Sequence, residues 1–299
     1  MSTAGGDAVD LELFADPWEH LRLLSDTRRN QALIQLLRRR APGARVVEVG
    51  CGSGLLSCIA ARLGARQVVA VEPTGLARTA RALVSANGLD GVVQVVEGEV
   101  QDLVPRQVDL AFSELLNAEP FREGVLDAMD AVRPWLAEGA VMAPSRLRVW
   151  VALVRAPESA AEAGRGRSQV RALGQEFGLR VDGLHRALGS PSPYKYVSTS
   201  EQLVSAPALV HDLQLGTGQL PEERVLVDLD VVEPQEVGGA VIWWEAELDE
   251  GLTLDNAPGR PGHWGQLVCA WDRVVRAEPG SFPLWVCLDE DDEVQARPG

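Results

Sequence analysis

Two groups of residues in this chain have the types and spacing of a working site. The first is Val46-Val47-Glu48-Val49-Gly50-Cys51-Gly52-Ser53-Gly54, a β-rich run that enters a glycine-rich turn and then a helical pattern. Glycines there let backbone N–H groups approach a ligand closely, and the N-terminus of the following helix favours negative charge. A GxGxxG dinucleotide fingerprint would need glycine at position 55, where the chain has Leu55. The next β-rich run, Val68-Val69-Ala70-Val71-Glu72, ends on an acid placed where ribose hydroxyls would lie. Strand, GxGxG turn, helix, strand and acid in that order describe a nucleoside site. The second group is Ser113-Glu114-Leu115-Leu116-Asn117-Ala118-Glu119-Pro120-Phe121-Arg122-Glu123-Gly124. Glu114 and Glu123 stand nine apart, and two carboxylates converging there would grip a planar cation by charge-assisted, bidentate hydrogen bonds. The same spacing also fits two glutamates on a solvated loop, with Glu123 serving only a helix dipole.

The elements that must position these groups are legible in the periodicity. Asp26 can cap a helix whose apolar stripe is Leu33, Ile34, Leu36 and Leu37, closed by Arg38-Arg39-Arg40. β-rich runs at Arg45–Val49, Gln67–Glu72, Val92–Glu97, Val108–Ser113 and Ala140–Ala143 alternate with helical patterns near 54–63, 75–87 and 123–136. Such alternation predicts a parallel sheet with helices on both faces. After Pro144 the texture changes to short β-like runs between Gly/Pro turns: Leu147–Val154, Arg224–Val232, Ala240–Leu248, Gln266–Ala270 and Leu284–Leu288. These predict a β-sandwich or barrel. The division expected is 1–40 as a helical segment closing the nucleoside site, 41–145 as the Rossmann-like domain and 146–299 as the β-domain. Residues 1–15 are expected to be a loose leader, and the acidic tail 289–299 to fray.

Composition bounds the function. The chain has 299 residues and a formal charge of −15, with the hydrophobic content of an ordinary folded protein. That charge excludes the basic surface duplex nucleic acid requires and would attract a cationic substrate. No run approaches a membrane span, and the first ten residues lack a signal-peptide pattern. Cys51, Cys58, Cys269 and Cys287 have neither zinc-type spacing nor disulfide density, so no metal and a reduced cytoplasmic setting are expected. Lys195 is the sole lysine among 28 basic residues, a skew typical of GC-rich bacterial genomes.

The glycine turn is the form found in class I S-adenosylmethionine (SAM) methyltransferases, and the two glutamates resemble the double-glutamate loop of the protein arginine methyltransferase family. Three more segments resemble that family in the right order. They are His20-Leu21-Arg22-Leu23-Leu24-Ser25-Asp26-Thr27-Arg28-Arg29-Asn30, Ala86-Asn87-Gly88-Leu89, and Gly262-His263-Trp264-Gly265-Gln266, which is similar to the THW loop. The resemblance implies that Glu114 and Glu123 hold the guanidinium beside Trp264, and that Asp26 and His263 form the pair that takes the proton. It implies cofactor contacts from His20, Arg29 (to the SAM carboxylate), Glu48, Gly50, Cys51, Gly52, Gly54, Leu55, Glu72, Pro73, Glu99, Val100, Gln101 and Ser113. His185 and His211 carry no such context and are expected to be structural or surface residues; Trp243 and Trp244 are expected in the core.

There are departures from the family pattern. The THW threonine is Gly262, and the aromatic YFxxY signature is missing, with only Phe14 and Trp18 nearby. The loop reads ELLNAEPFREG where the family often has EWMGY, and Gln101 stands where an adenine-contacting glutamate is common. These features are similar to the monomethylating and divergent branches. The resemblance implies a homodimer, built through an arm in the place of residues 171–195. It leaves the substrate as free L-arginine or an arginine-containing peptide; the bacterial composition and compact, acidic chain shift weight to free arginine in natural-product biosynthesis. The competing readings are a protein arginine methyltransferase and an inactive binding partner.

Overall fold

The computed structural model describes residues 17–155, 169–180, 202–260, 262–288 and 294–299. Helices α1 (Pro17–Ser25) and α2 (Thr27–Arg40) come first. Asp26 caps α2 by accepting the Arg29 N–H at 3.0 Å. The predicted stripe buries Leu33, Leu36 and Leu37, while Ile34 is half-buried at its edge. Five parallel strands follow: β1 (Arg45–Val49), β2 (Gln67–Glu72), β3 (Val93–Glu97), β4 (Val108–Ser113) and β5 (Leu136–Ala143), in the order β3-β2-β1-β4-β5. Helices α3 (Leu55–Arg62), α4 (Leu76–Ala86) and α5 (Val125–Val132) connect them. The valine-rich β1 and β2 are buried on both faces, as a helix-covered parallel sheet requires.

Strand order and register together locate the site. The chain turns back at β1, which pairs with β2 on one side and β4 on the other. At such a reversal the crevice beyond the carboxyl ends of the strands opens for ligands. Val49 is in register with Val71 and with Ser113. Gly50, Glu72 and Glu114 therefore leave the sheet side by side, although they are 64 residues apart in sequence at the extremes. Ser113 Oγ donates to Val49 O at 2.8 Å and ties the two strand ends together.

The second half is antiparallel. Strands β6 (Arg146–Val154), β7 (Ala208–Gln214), β9 (Gln235–Asp249) and β10 (Leu252–Asp255) form a sheet in the order β10-β9-β6-β7, with β11 (Leu267–Ala277) also on β9. Strands β8 (Arg224–Val231), β12 (Gly280–Leu288) and β13 (Val294–Pro298) form a second sheet in the order β13-β12-β8. One continuous hydrophobic core joins both halves. Helix α2 is fastened to the β-sheet at both ends. Arg40 makes a two-point ion pair with Asp249 (3.0 and 2.6 Å), and Arg28 pairs with the buried Asp255.

The parallel strands fall where the sequence pattern predicts, with β5 beginning four residues earlier, at Leu136. The frayed-tail expectation is corrected over its second half. Val294 and Ala296 alternate inward, and residues 294–298 pair with β12 despite the acidic run before them. Strands β7 and β10 went unpredicted because each is short and carries few β-branched residues. The leader, His185 and residues 181–195 of the expected arm lie outside the described residues. No described helix is long and apolar enough to cross a membrane.

Candidate active site

The glycine turn is shaped for close approach. Gly50, Gly52 and Gly54 have φ of 73°, 52° and 76°, the left-handed region that side chains avoid. A β-carbon on Gly54 would lie 2.9 Å from Ala80 Cβ, and one on Gly50 would press into Leu115. Glu72 binds the turn directly: Oε2 accepts the Gly52 N–H at 2.7 Å, and Oε1 accepts from Thr74 N and Oγ1. Oε2, with a single donor, keeps a lone pair for a hydroxyl group. Beneath the turn, Glu48 accepts from Ser57 Oγ; burial pushes its carboxyl up to about 8. Cys51 is buried and its thiol held well above the ordinary range by desolvation. Leu55 opens α3 and Pro73 follows Glu72 at the strand end. Val100 is buried at the end of β3's loop, while Glu99 and Gln101 bond each other at the surface. His20 lies on α1, and its side chain is outside the described residues. The glycine turn and the Glu72 carboxylate beside it fit a nucleoside.

The second group assembles beside it. Arg29 is buried, and its Nε and Nη2 both lie 2.5 Å from Glu114 Oε2. The other oxygen, Oε1, is buried with no hydrogen-bond partner. Burial raises the Glu114 carboxyl, and Arg29 opposes the shift. Glu123 is pushed up to about 8 by burial and by the neighbouring Glu114 charge, against the pull of Asn117, Arg29 and Arg122. Its Oε1 accepts Asn117 Nδ2–H at 2.8 Å.

The third component arrives from the β-half. Asp26 Oδ2 accepts the His263 backbone N–H at 2.9 Å and faces Nδ1 at 3.0 Å. Burial alone would raise Asp26, but the N–H groups of Arg29 and His263 bring it below its ordinary value. Burial lowers His263 to about 4, so it is neutral near pH 7. With a carboxylate against Nδ1, that nitrogen carries the proton and Nε2 is left as a base. Trp264 stacks at a tilt on His263, with ring centroids 4.1 Å apart. Gly262 lies against this pair: a β-carbon there would meet Asp26 Oδ2 at 3.3 Å.

Sequence reasoning missed the residues that join these parts. Trp244 is buried as expected, but its indole N–H also donates to Asn117 O at 2.6 Å. Asn256 accepts from Trp244 N and donates to Gly265 O, pinning the loop that carries His263. No spacing signal links residues 117, 244 and 256: the β9–β10 hairpin brings Asn256 to Trp244, and the indole N–H reaches Asn117 from there. His211 is structural as expected, packed edge-on against Phe121 beneath the glutamate loop.

A five-stranded parallel sheet with a GxGxG turn and an acid at the end of the next strand, followed by an antiparallel β-domain, is the plan of a SAM-dependent methyltransferase. Known proteins narrow this class. The family model described as ribosomal protein L11 methyltransferase (PrmA) matches residues 30–141. An arginine N(omega)-methyltransferase from Streptomyces achromogenes subsp. streptozoticus is 31% identical over 290 residues, covering 91% of this chain and 78% of that protein. Protein arginine N-methyltransferase PRMT10 of Arabidopsis thaliana is 29% identical, covering 86% and 76%. The solved structure of Arabidopsis thaliana protein arginine methyltransferase 10 superposes with a TM-score of 0.75 at 26% identity, over 92% of this chain and 88% of that one. The chain belongs to the arginine N-methyltransferase family of SAM-dependent transferases.

Proposed function

We propose that this enzyme methylates a guanidino nitrogen of free L-arginine, forming Nω-methyl-arginine. The observation that carries the reading is the pair of buried carboxylates beside the glycine turn: Arg29 holds Glu114 at Oε2, and Asn117 holds Glu123 at Oε1. Free arginine is favoured by the 31% likeness, over nearly the whole chain, to a protein named as an arginine N(omega)-methyltransferase. The likeness to PRMT10 supports peptide arginine as the second reading.

Arginine is protonated in water and its cation is a poor nucleophile. Glu114 and Glu123 hold two N–H edges of the guanidinium, localise positive charge there and turn the remaining nitrogen toward the cofactor site. SAM, when bound, would supply a methyl group on a sulfonium, with the thioether of S-adenosylhomocysteine as the leaving group. Holding that nitrogen in line provides most of the acceleration. The proton leaves late, to His263 Nε2, while Asp26 orients His263 and stabilises its charge. Arg29 anchors the cofactor carboxylate, Glu72 the ribose, and Glu99 and Gln101 the adenine edge. Trp264 walls the guanidinium.

The same reading assigns residues 1–40 to closing the cofactor site, 41–145 to cofactor binding and 146–299 to the substrate module, in a cytoplasmic homodimer. The dimer is supported by the short helix 169–176 and the turn after it, which expose Leu173 (53%), Phe177 (66%) and Leu179 (64%). The outward face of α2 around Ile34 is the surface that would receive them. The test is Glu123→Gln: turnover is expected to vanish while SAM affinity stays within about twofold of wild type, and loss of SAM binding would assign Glu123 a structural role.

A further inference from the structure

The glutamate loop departs from the EWMGY form at the residue that contacts Glu123. Counting from Glu114, Asn117 stands where that form has glycine. Its amide is fixed from three directions. Nδ2 donates to Glu123 Oε1 at 2.8 Å, Oδ1 accepts the Ala118 N–H at 2.6 Å, and the backbone carbonyl accepts the Trp244 indole N–H at 2.6 Å. The Ala118 bond sets which end of the amide is the donor. Leu116 and Ala118 on either side are buried, which anchors the backbone at this point of the loop.

We propose that Asn117 is a positioning residue, which clasps one oxygen of Glu123 and turns the other to the guanidinium, a task glycine at this position cannot perform. The inference rests on the arginine-binding reading of Glu114 and Glu123. In the ligand-free protein the two carboxylates are matched: Arg29 takes Oε2 of Glu114 and leaves Oε1, while Asn117 takes Oε1 of Glu123 and leaves Oε2. The donors differ for a physical reason. A second cation at Glu123 would hold the carboxylate but repel the incoming guanidinium; a neutral amide supports the ionised form without opposing the substrate.

The charged groups that face Glu123 are Glu114 from the end of β4, Arg29 from α2 and Arg122 from its own loop. Arg29 is committed to Glu114, and Arg122 lies 3.4 Å from the buried Glu119. Among the described residues, Asn117 is therefore the sole direct hydrogen-bond donor to Glu123.

Two variants and two readouts test this. Asn117→Ala removes the donor; Asn117→Asp keeps the shape and the Ala118 bond but puts a third acid at the site. The Glu123 carboxyl is titrated by carbon-13 NMR in the ligand-free protein, its resonance identified by its absence from Glu123→Gln. The pH profile of kcat/KM for L-arginine is measured beside it. Asn117→Ala is expected to raise the Glu123 midpoint by about one unit and to lower the rate about tenfold on the acid limb, with recovery toward wild type above it. Asn117→Asp should shift both further, and SAM affinity should stay unchanged in each. An unmoved Glu123 midpoint, or a loss of rate equal at every pH, overturns the proposal. Failure of the wild-type protein to methylate arginine would instead sink the substrate reading, and the NMR titration would still decide the role of Asn117.

Discussion

Substrate binding should release a proton, and the amount follows from Glu123. In the ligand-free protein its carboxyl is pushed up to about 8 by burial and by Glu114. At pH 7 about nine-tenths of the molecules then carry a proton on Glu123. A guanidinium keeps its charge throughout this range, and gripping it requires the carboxylate. Binding one arginine at pH 7 should therefore expel about 0.9 proton. Affinity should rise about tenfold per pH unit from 6 to 7.5 and level off above about 8.5. A cofactor carboxylate that draws Arg29 from Glu114 leaves more negative charge beside Glu123 and strengthens the effect. The assay is isothermal titration calorimetry of L-arginine into protein saturated with S-adenosylhomocysteine, in two buffers of different ionisation enthalpy. The buffer dependence counts protons, and Glu123→Gln is the control that should release none. An affinity flat from pH 6 to 8 with fewer than about 0.2 proton released would refute the reasoning, because Glu123 would then be ionised before the substrate arrives.

Two further outcomes follow from the same geometry. Asp26→Asn keeps an oxygen to cap α2 but sets an amide N–H against both His263 donors; it and His263→Ala should each lower kcat by on the order of 10²-fold. The double variant should be no worse than the weaker single one within about threefold, and additive losses in steady-state kinetics would show that the two residues act separately. Gly54→Ala forces a side chain into a left-handed turn 2.9 Å from Ala80, so thermal unfolding should fall by several degrees with a parallel loss of S-adenosylhomocysteine affinity.

Much of the site was readable because its parts are short-range. The glycine turn, Glu72 and the glutamate pair each sit within a dozen residues of a strand end, and alternation of strand and helix dictates that those ends share one edge. Asp26 was readable as a helix cap, yet nothing local showed that its second oxygen would take the His263 N–H across 237 residues. That contact needed the family likeness. The Arg29–Glu114 pair, the clasp of Glu123 by Asn117 and the bond from Trp244 were not readable. The first depends on how α2 seats at the end of β4 and the second on the fold of a loop without periodicity; only the third depends on the β-half, and tryptophan in a strand pattern reads as core whether or not its N–H has a task. Strand β13 was obscured by the acidic residues before it, although Val294 and Ala296 keep the period of two that a half-buried strand requires.

The most direct test is product mass spectrometry after the protein and SAM are incubated with free L-arginine and, in the same tube, an arginine/glycine-rich peptide. The account predicts a mass gain of one methyl group on free arginine and an unchanged peptide. Methylated peptide beside unchanged arginine would contradict it and move the enzyme to the protein-modifying side of its family.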